Sequence, residues 1–180
     1  VPRLHPAHHR PLAVCCIALS AIGFLGCSPA PEPEPTPTPA FASEEEAFAA
    51  AEETYRAYID ALNAERSGTP PAKPSQDYLS GQVLEAELAN ENELREAGVH
   101  IEGSTAVSGF YGLRVDIDSQ AATVVGRACL DITDARAVDT TGTDVTVVGR
   151  SDIYAIDVTF AGAQSSLLIT AYEIATDFEC

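Results

Sequence analysis

"SEEEAFAAAEETYRAYIDALNAER", residues 43–66, decides the fold. Ser43 followed three residues later by Glu46 is a capping box, in which the serine hydroxyl and the glutamate carboxylate satisfy backbone N–H groups that have no partner in a first helical turn. Behind it Phe48, Ala51, Tyr55, Tyr58, Ile59 and Leu62 recur at helical spacing and make one apolar stripe. The spacing predicts a helix over 44–66, stopped by Ser67-Gly68-Thr69-Pro70-Pro71. A second helix is predicted over 80–97, with Val83, Leu84, Leu88 and Leu94 apolar and Gly98 as its C-terminal cap.

From Val99 onward the apolar period changes to two. Leu113, Val115 and Ile117 alternate with Arg114, Asp116 and Asp118, and Val124, Ala128, Leu130 and Ile132 continue the alternation. Tyr154, Ile156, Val158 and Phe160 are expected on one face of a further strand, and Leu168, Thr170, Tyr172 and Ile174 on one face of the last. The breaks at Ser119-Gln120 and at 162–166 read as hairpins. Helices followed by a run of antiparallel strands give an α+β fold, with N-terminal helices packed on one face of a curved antiparallel sheet.

Upstream of the helix the composition differs. Residues 1–10 carry Arg3, Arg10 and three histidines, and PLAVCCIALSAIGFLG follows without a charge. That apolar run suits the central region of a signal peptide better than a membrane-spanning helix. Phe24-Leu25-Gly26-Cys27 resembles the bacterial lipoprotein lipobox, with Phe24 in place of the usual leucine. The resemblance implies cleavage before Cys27 and diacylglyceryl modification of its thiol. Two or more acyl chains hold a protein on a bilayer where one does not. The expected organisation is a lipoprotein signal peptide at 1–26, a lipidated cysteine and proline-rich spacer at 27–42, and one domain at 43–180. Alternating proline in SPAPEPEPTPTPA favours an extended polyproline II spacer of about 40 Å.

Five cysteines are present. Removal of Cys15 and Cys16 and lipidation of Cys27 leave Cys129 and Cys180, which are expected to form a disulfide in an exported domain; two free thiols are the alternative.

The net charge of −17 disfavours binding to nucleic acid or to an anionic lipid surface through the domain itself. A foldable part of this size supports one core, which argues against a two-lobed solute-binding protein.

The order of elements from about residue 43 to residue 180 resembles the NTF2-like (SnoaL/cystatin-like) superfold. That likeness implies helices closing over a bent sheet to form a cone with a pocket. The lipobox, the Pro/Thr spacer, the helix above, a mid-strand cysteine and the closing "DFEC" together are similar to uncharacterised actinobacterial lipoproteins, a likeness that implies location and fold but no activity.

Chemistry is sparse. Tyr55, Tyr58, Tyr111, Tyr154 and Tyr172 are candidates for lining a pocket, or equally for plain core and rim aromatics. His100, at the expected start of the first strand, is the one histidine after the spacer and more often such a residue is simply exposed. Asp116, Asp118 and Asp157 fall on strands where carboxylates normally face water. Asp139-Thr-Thr-Gly-Thr-Asp144 lacks the ligands of a calcium loop and reads as a turn. There is no nucleophile elbow, phosphate loop, dinucleotide fingerprint or zinc spacing, so neither a cofactor nor a metal is expected.

The function expected from these residues is a non-enzymatic ligand-binding or protein-interaction module. It would be held by its lipid on the outer face of the cytoplasmic membrane, with a small ligand or a cell-envelope protein as partner. The alternatives are a SnoaL-like enzyme acting on a small molecule in the cone pocket, and a purely structural accessory domain.

Overall fold

A computed structural model describes residues 39–180 of the chain. The expected signal peptide, Cys27 and the spacer as far as residue 38 lie outside the described residues; the last of the residues expected in the spacer are described, and Phe41 among them is buried in the core rather than part of an extended linker. The described residues form one compact unit, and every residue of its core comes from Ala40 onward.

Helix α1 spans Glu44–Arg66. The Ser43 hydroxyl accepts from the Glu46 amide at 3.2 Å, and the Glu46 carboxylate accepts from the Ala42 amide at 2.6 Å, so the capping box reaches one residue further back than its usual form. Glu44 and Glu45 add negative charge at the positive end of the helix dipole. Ala47, Ala51, Tyr55, Tyr58 and Ile59 are buried along its inner stripe. A single 3-10 turn, Ser75–Tyr78, is held by the Glu65 carboxylate, which accepts from the Ser75 amide at 2.8 Å and from its hydroxyl at 2.5 Å. Helix α2 spans Gly81–Glu96 and fully buries only Val83, in keeping with its weaker apolar period.

Strands β1 (Val99–Glu102) and β4 (Arg136–Asp139) pair as a short two-stranded ribbon, which the sequence reading did not anticipate. Strands β2 (Ala106–Ile117), β3 (Ala122–Asp131), β5 (Ile153–Gly162) and β6 (Leu168–Ile174) make a four-stranded antiparallel sheet in the order β2-β3-β5-β6. Both helices pack against it. Phe160, Ile169, Val124 and Val158 are wholly buried at the centre, with the Phe110 and Tyr55 rings around Phe160 at 6.3 and 6.4 Å.

Two glycines shape the inner face. Gly112 and Gly126 are register partners on β2 and β3. A Cβ on Gly112 would lie 2.5 Å from two atoms of the Phe48 ring, and one on Gly126 would lie 2.2 Å from Phe110. The missing side chains therefore let two aromatic rings lie against the sheet.

The last strand departs from expectation. A bulge at Thr170 shifts its register, so Ile169 opposes Phe160 while Tyr172 opposes Val158. Leu167 and Ile169 enter the core, and Leu168 and Thr170 do not share the face of Tyr172 and Ile174. One extra residue reverses the facing of everything before it, because side chains alternate with period two. A similar break between Gly112 and Arg114 leaves Leu113 exposed rather than in phase with Val115 and Ile117.

Cys129 and Cys180 are joined by a disulfide spanning 51 residues. It straps residues 175–180 across the outer face of the sheet. There Phe178 packs on the Tyr111 ring at 5.6 Å and over the Arg127 guanidinium at 5.1 Å. Arg127 in turn makes two bonds to Asp157, at 2.6 and 2.9 Å, which hold the Asp157 carboxyl below its ordinary range.

Candidate functional site

The inner stripe of α1 does not end with the core. Tyr55, Ile59, Leu62 and Arg66 follow at steps of four, three and four, so all four project toward the sheet. On α2, Glu87 and Asn90 follow Val83 by steps of four and three and reach the same space. From the sheet, Leu130 lies beside its register partner Tyr154, and Ile156 and Tyr172 lie on the adjoining positions of β5 and β6. Together these side chains enclose a cleft of about 360 Å³, within the range of small-ligand sites. Its floor is apolar, from Ile59, Leu130, Ile156 and Ile169; its mouth carries Arg66, Glu87, Asn90 and the exposed Ile174.

Four of the five singled-out tyrosines, Tyr55, Tyr58, Tyr154 and Tyr172, line this cleft. Tyr111 does not. It opposes Arg127 on the other face of the sheet and packs under Phe178, because neighbouring Phe110 takes the inward phase. His100 does not line the cleft: it is exposed on β1, its Nε2 3.2 Å from the Glu102 carboxylate, and it borders an adjoining groove that shares Leu62, Arg66, Glu87 and Asn90 with the cleft. Asp118 accepts from the amides of Gln120 and Ala121 in the β2–β3 turn, and Asp139 caps the turn that follows β4. Among the described residues no group of three or more His, Cys, Asp and Glu side chains is placed to hold a metal ion.

The hydroxyls define the chemistry of the cleft. Tyr55 is 2% exposed and Tyr58 8%. No side-chain hydrogen bond among the described residues reaches the hydroxyl of any of the four tyrosines, and no buried polar side-chain atom is left without a partner. The hydroxyls of Tyr55, Tyr58 and Tyr154 are therefore not sealed within packed protein, and all three residues line the cleft. Burial pushes the Tyr55 and Tyr58 phenols well above their ordinary value, and those of Tyr154 and Tyr172 rise for the same reason. At neutral pH all four are protonated and able to donate.

Arg66 is positioned with care. Its Nη1 donates to the Thr105 hydroxyl at 2.9 Å. Thr105 is fixed by Asn63, whose amide exchanges two hydrogen bonds with the Thr105 backbone at 2.8 and 2.9 Å, and Arg56 bonds the next carbonyl but one, Val107, at 2.8 Å. Burial lowers the Arg66 pKa, but a guanidinium stays charged in proteins. No carboxylate among the described residues closes to salt-bridge distance on it. Glu87, across the mouth, has its carboxyl raised by burial and by Glu91, with Arg66 acting in the opposite sense.

Arg66 and Glu87 were not singled out from the sequence, although each stands in phase with an apolar stripe, where a charged residue is unusual. That phase was the available signal.

No protein-family model matches the chain, and a search of curated proteins finds no match either. Among solved structures, the crystal structure of the intermembrane space region of chloroplast protein ARC6 is similar over 71% of this chain and 95% of that chain, at 14% identity and a TM-score of 0.47.

Proposed function

We propose that this chain is an extracytoplasmic lipoprotein whose domain, an NTF2-like cone, binds a small molecule in the tyrosine-lined cleft without transforming it. The observation that carries the reading is the set of tyrosine hydroxyls, without a side-chain partner among the described residues, gathered above an apolar floor. A packed core would have filled that space or paired those groups. The Cys129–Cys180 disulfide fits an oxidising location, and the lipobox-like Leu25-Gly26-Cys27 supports anchoring on the outer face of the cytoplasmic membrane. The likeness to actinobacterial lipoproteins belongs to the same proposal. An enzyme built on this cleft would have to work through Glu87, the one carboxylate on its wall among the described residues. The binding reading gives Glu87 an electrostatic part instead.

Native mass spectrometry tests it. The protein, exported so that the disulfide forms, carries an adduct of defined small mass. Ile174→Trp, at an exposed position on the mouth, reduces or removes that adduct. A clean mass for the parent protein across several purification conditions would overturn small-molecule binding in favour of an envelope-protein partner.

A further inference from the structure

We infer that the cleft selects an apolar monocarboxylate, whose carboxylate is taken by Arg66 and the neighbouring phenol hydroxyls while its hydrocarbon body lies on Ile59, Leu130, Ile156 and Ile169. The inference rests on the binding reading above and names the ligand class.

Three observations carry it. First, most of the polar groups that line the cleft without a side-chain partner among the described residues can donate, with the Glu87 carboxylate and the Asn90 carbonyl as the acceptors among them. The phenols of Tyr55, Tyr58, Tyr154 and Tyr172 and the remaining N–H groups of Arg66 all seek an acceptor, and a carboxylate offers two oxygens with about four lone-pair sites. Second, the Arg66 guanidinium is held in place before any ligand arrives. The Asn63 amide locks the Thr105 backbone and the Thr105 hydroxyl takes one Arg66 nitrogen, which leaves the others to form a charge-assisted pair with an incoming acid. Third, the floor is hydrocarbon, from Ile59, Leu130, Ile156 and Ile169, which rules against a small polyanion such as inorganic phosphate that would leave it uncovered.

The overall charge of −17 opposes the approach of any anion, but charges beyond a Debye length, about 8 Å at physiological salt, are largely screened. Glu87 is the local exception. A ligand carboxylate beside it meets a like charge, so Glu87 weakens the acid and would strengthen an amine.

Calorimetric titration of the Thr36–Cys180 polypeptide, which contains the whole described core, with octanoate, octanol and octylamine at neutral pH separates the outcomes. Octanoate is expected to bind at least about tenfold more tightly than octanol. Arg66→Gln is expected to remove that preference, bringing octanoate down to the affinity of octanol for the same variant. Glu87→Gln is expected to move the other way and tighten octanoate, so the result does not hang on the folding of one variant. Octanol binding as tightly as octanoate would overturn the carboxylate inference and leave the cleft as a binding site. Octylamine binding best, and weakening in Glu87→Gln, would overturn it in favour of a cation. Failure of all three to bind the folded protein would overturn both the inference and the binding reading.

Discussion

Replacing Gly112 by alanine tests how the first helix is seated on the sheet. The added Cβ would stand 2.5 Å from both Cγ and Cδ1 of Phe48, where ordinary contact begins near 3.4 Å. Because Cγ is bonded to the Phe48 Cβ, rotating the ring cannot clear the overlap, and helix and strand must part by about 1 Å. Overpacking of this kind costs about 1–3 kcal/mol. Against it stands the stiffer unfolded chain of alanine, worth about 0.4–1 kcal/mol. The clash wins, for a net loss of about 1–2 kcal/mol. With a urea m-value of about 1–3 kcal/mol/M for a small domain, the midpoint falls by roughly 1 M. A cycle with Phe48→Ala adds the control: once the ring is gone the glycine has nothing to accommodate, and Gly112→Ala becomes nearly neutral. A Gly112→Ala protein as stable as its parent with Phe48 intact would refute the packing described here.

Loss of the disulfide in Cys180→Ser is expected to cost about 4 kcal/mol for its 51-residue separation in the chain-entropy model, read from urea unfolding; an unchanged midpoint would refute it. The same bond predicts no free Cys129 or Cys180 thiol in the unreduced, denatured protein. Glu87 has its folded pKa above its unfolded one, so its proton is held longer in the native state, and the stability it contributes is lost as pH rises between the two values. Glu87→Gln should therefore gain on the parent as pH rises through that window, and parallel pH profiles would contradict this; Asp157, with its pKa lowered chiefly by the Arg127 hydrogen bonds, acts in the reverse sense and loses stability as pH falls. Cys27→Ala, finally, should release the protein from membranes, and tight association that persists would remove the lipid anchor from the proposal.

Both helices were legible because their signals are local. A capping box, an apolar stripe and a Gly/Pro stop are written in consecutive residues, and helix α1 begins and ends where they say. The two-period strands were legible as elements but not in phase. Residues 167–169, Leu-Leu-Ile, are apolar on both faces, so nothing in them marks the bulge at Thr170 that turns Leu167 and Ile169 inward. The β1–β4 ribbon depends on pairing across 34 to 40 residues and leaves no comparable trace. For the cleft, residue type pointed to tyrosines but could not separate inward Tyr154 from outward Tyr111; strand parity, set by register with Arg127, makes that choice. Arg66 and Glu87 carried a signal of phase, masked by the ordinary expectation that charges near helix ends face water.

The seating of α1 has a further consequence. Whatever precedes residue 39 joins the domain near Ala40, whose amide bonds Asp118 at the β2–β3 turn, beside the Ser43 end of the helix. Arg66 closes the opposite end, and 23 residues of helix put about 34 Å between them. A chain held from its N-terminal side thus keeps its point of attachment and its doorway on separate poles of the domain. If the proposed lipid anchor holds the chain at this end, a ligand would enter the cleft at the end of α1 far from the residue where the anchored segment joins the domain.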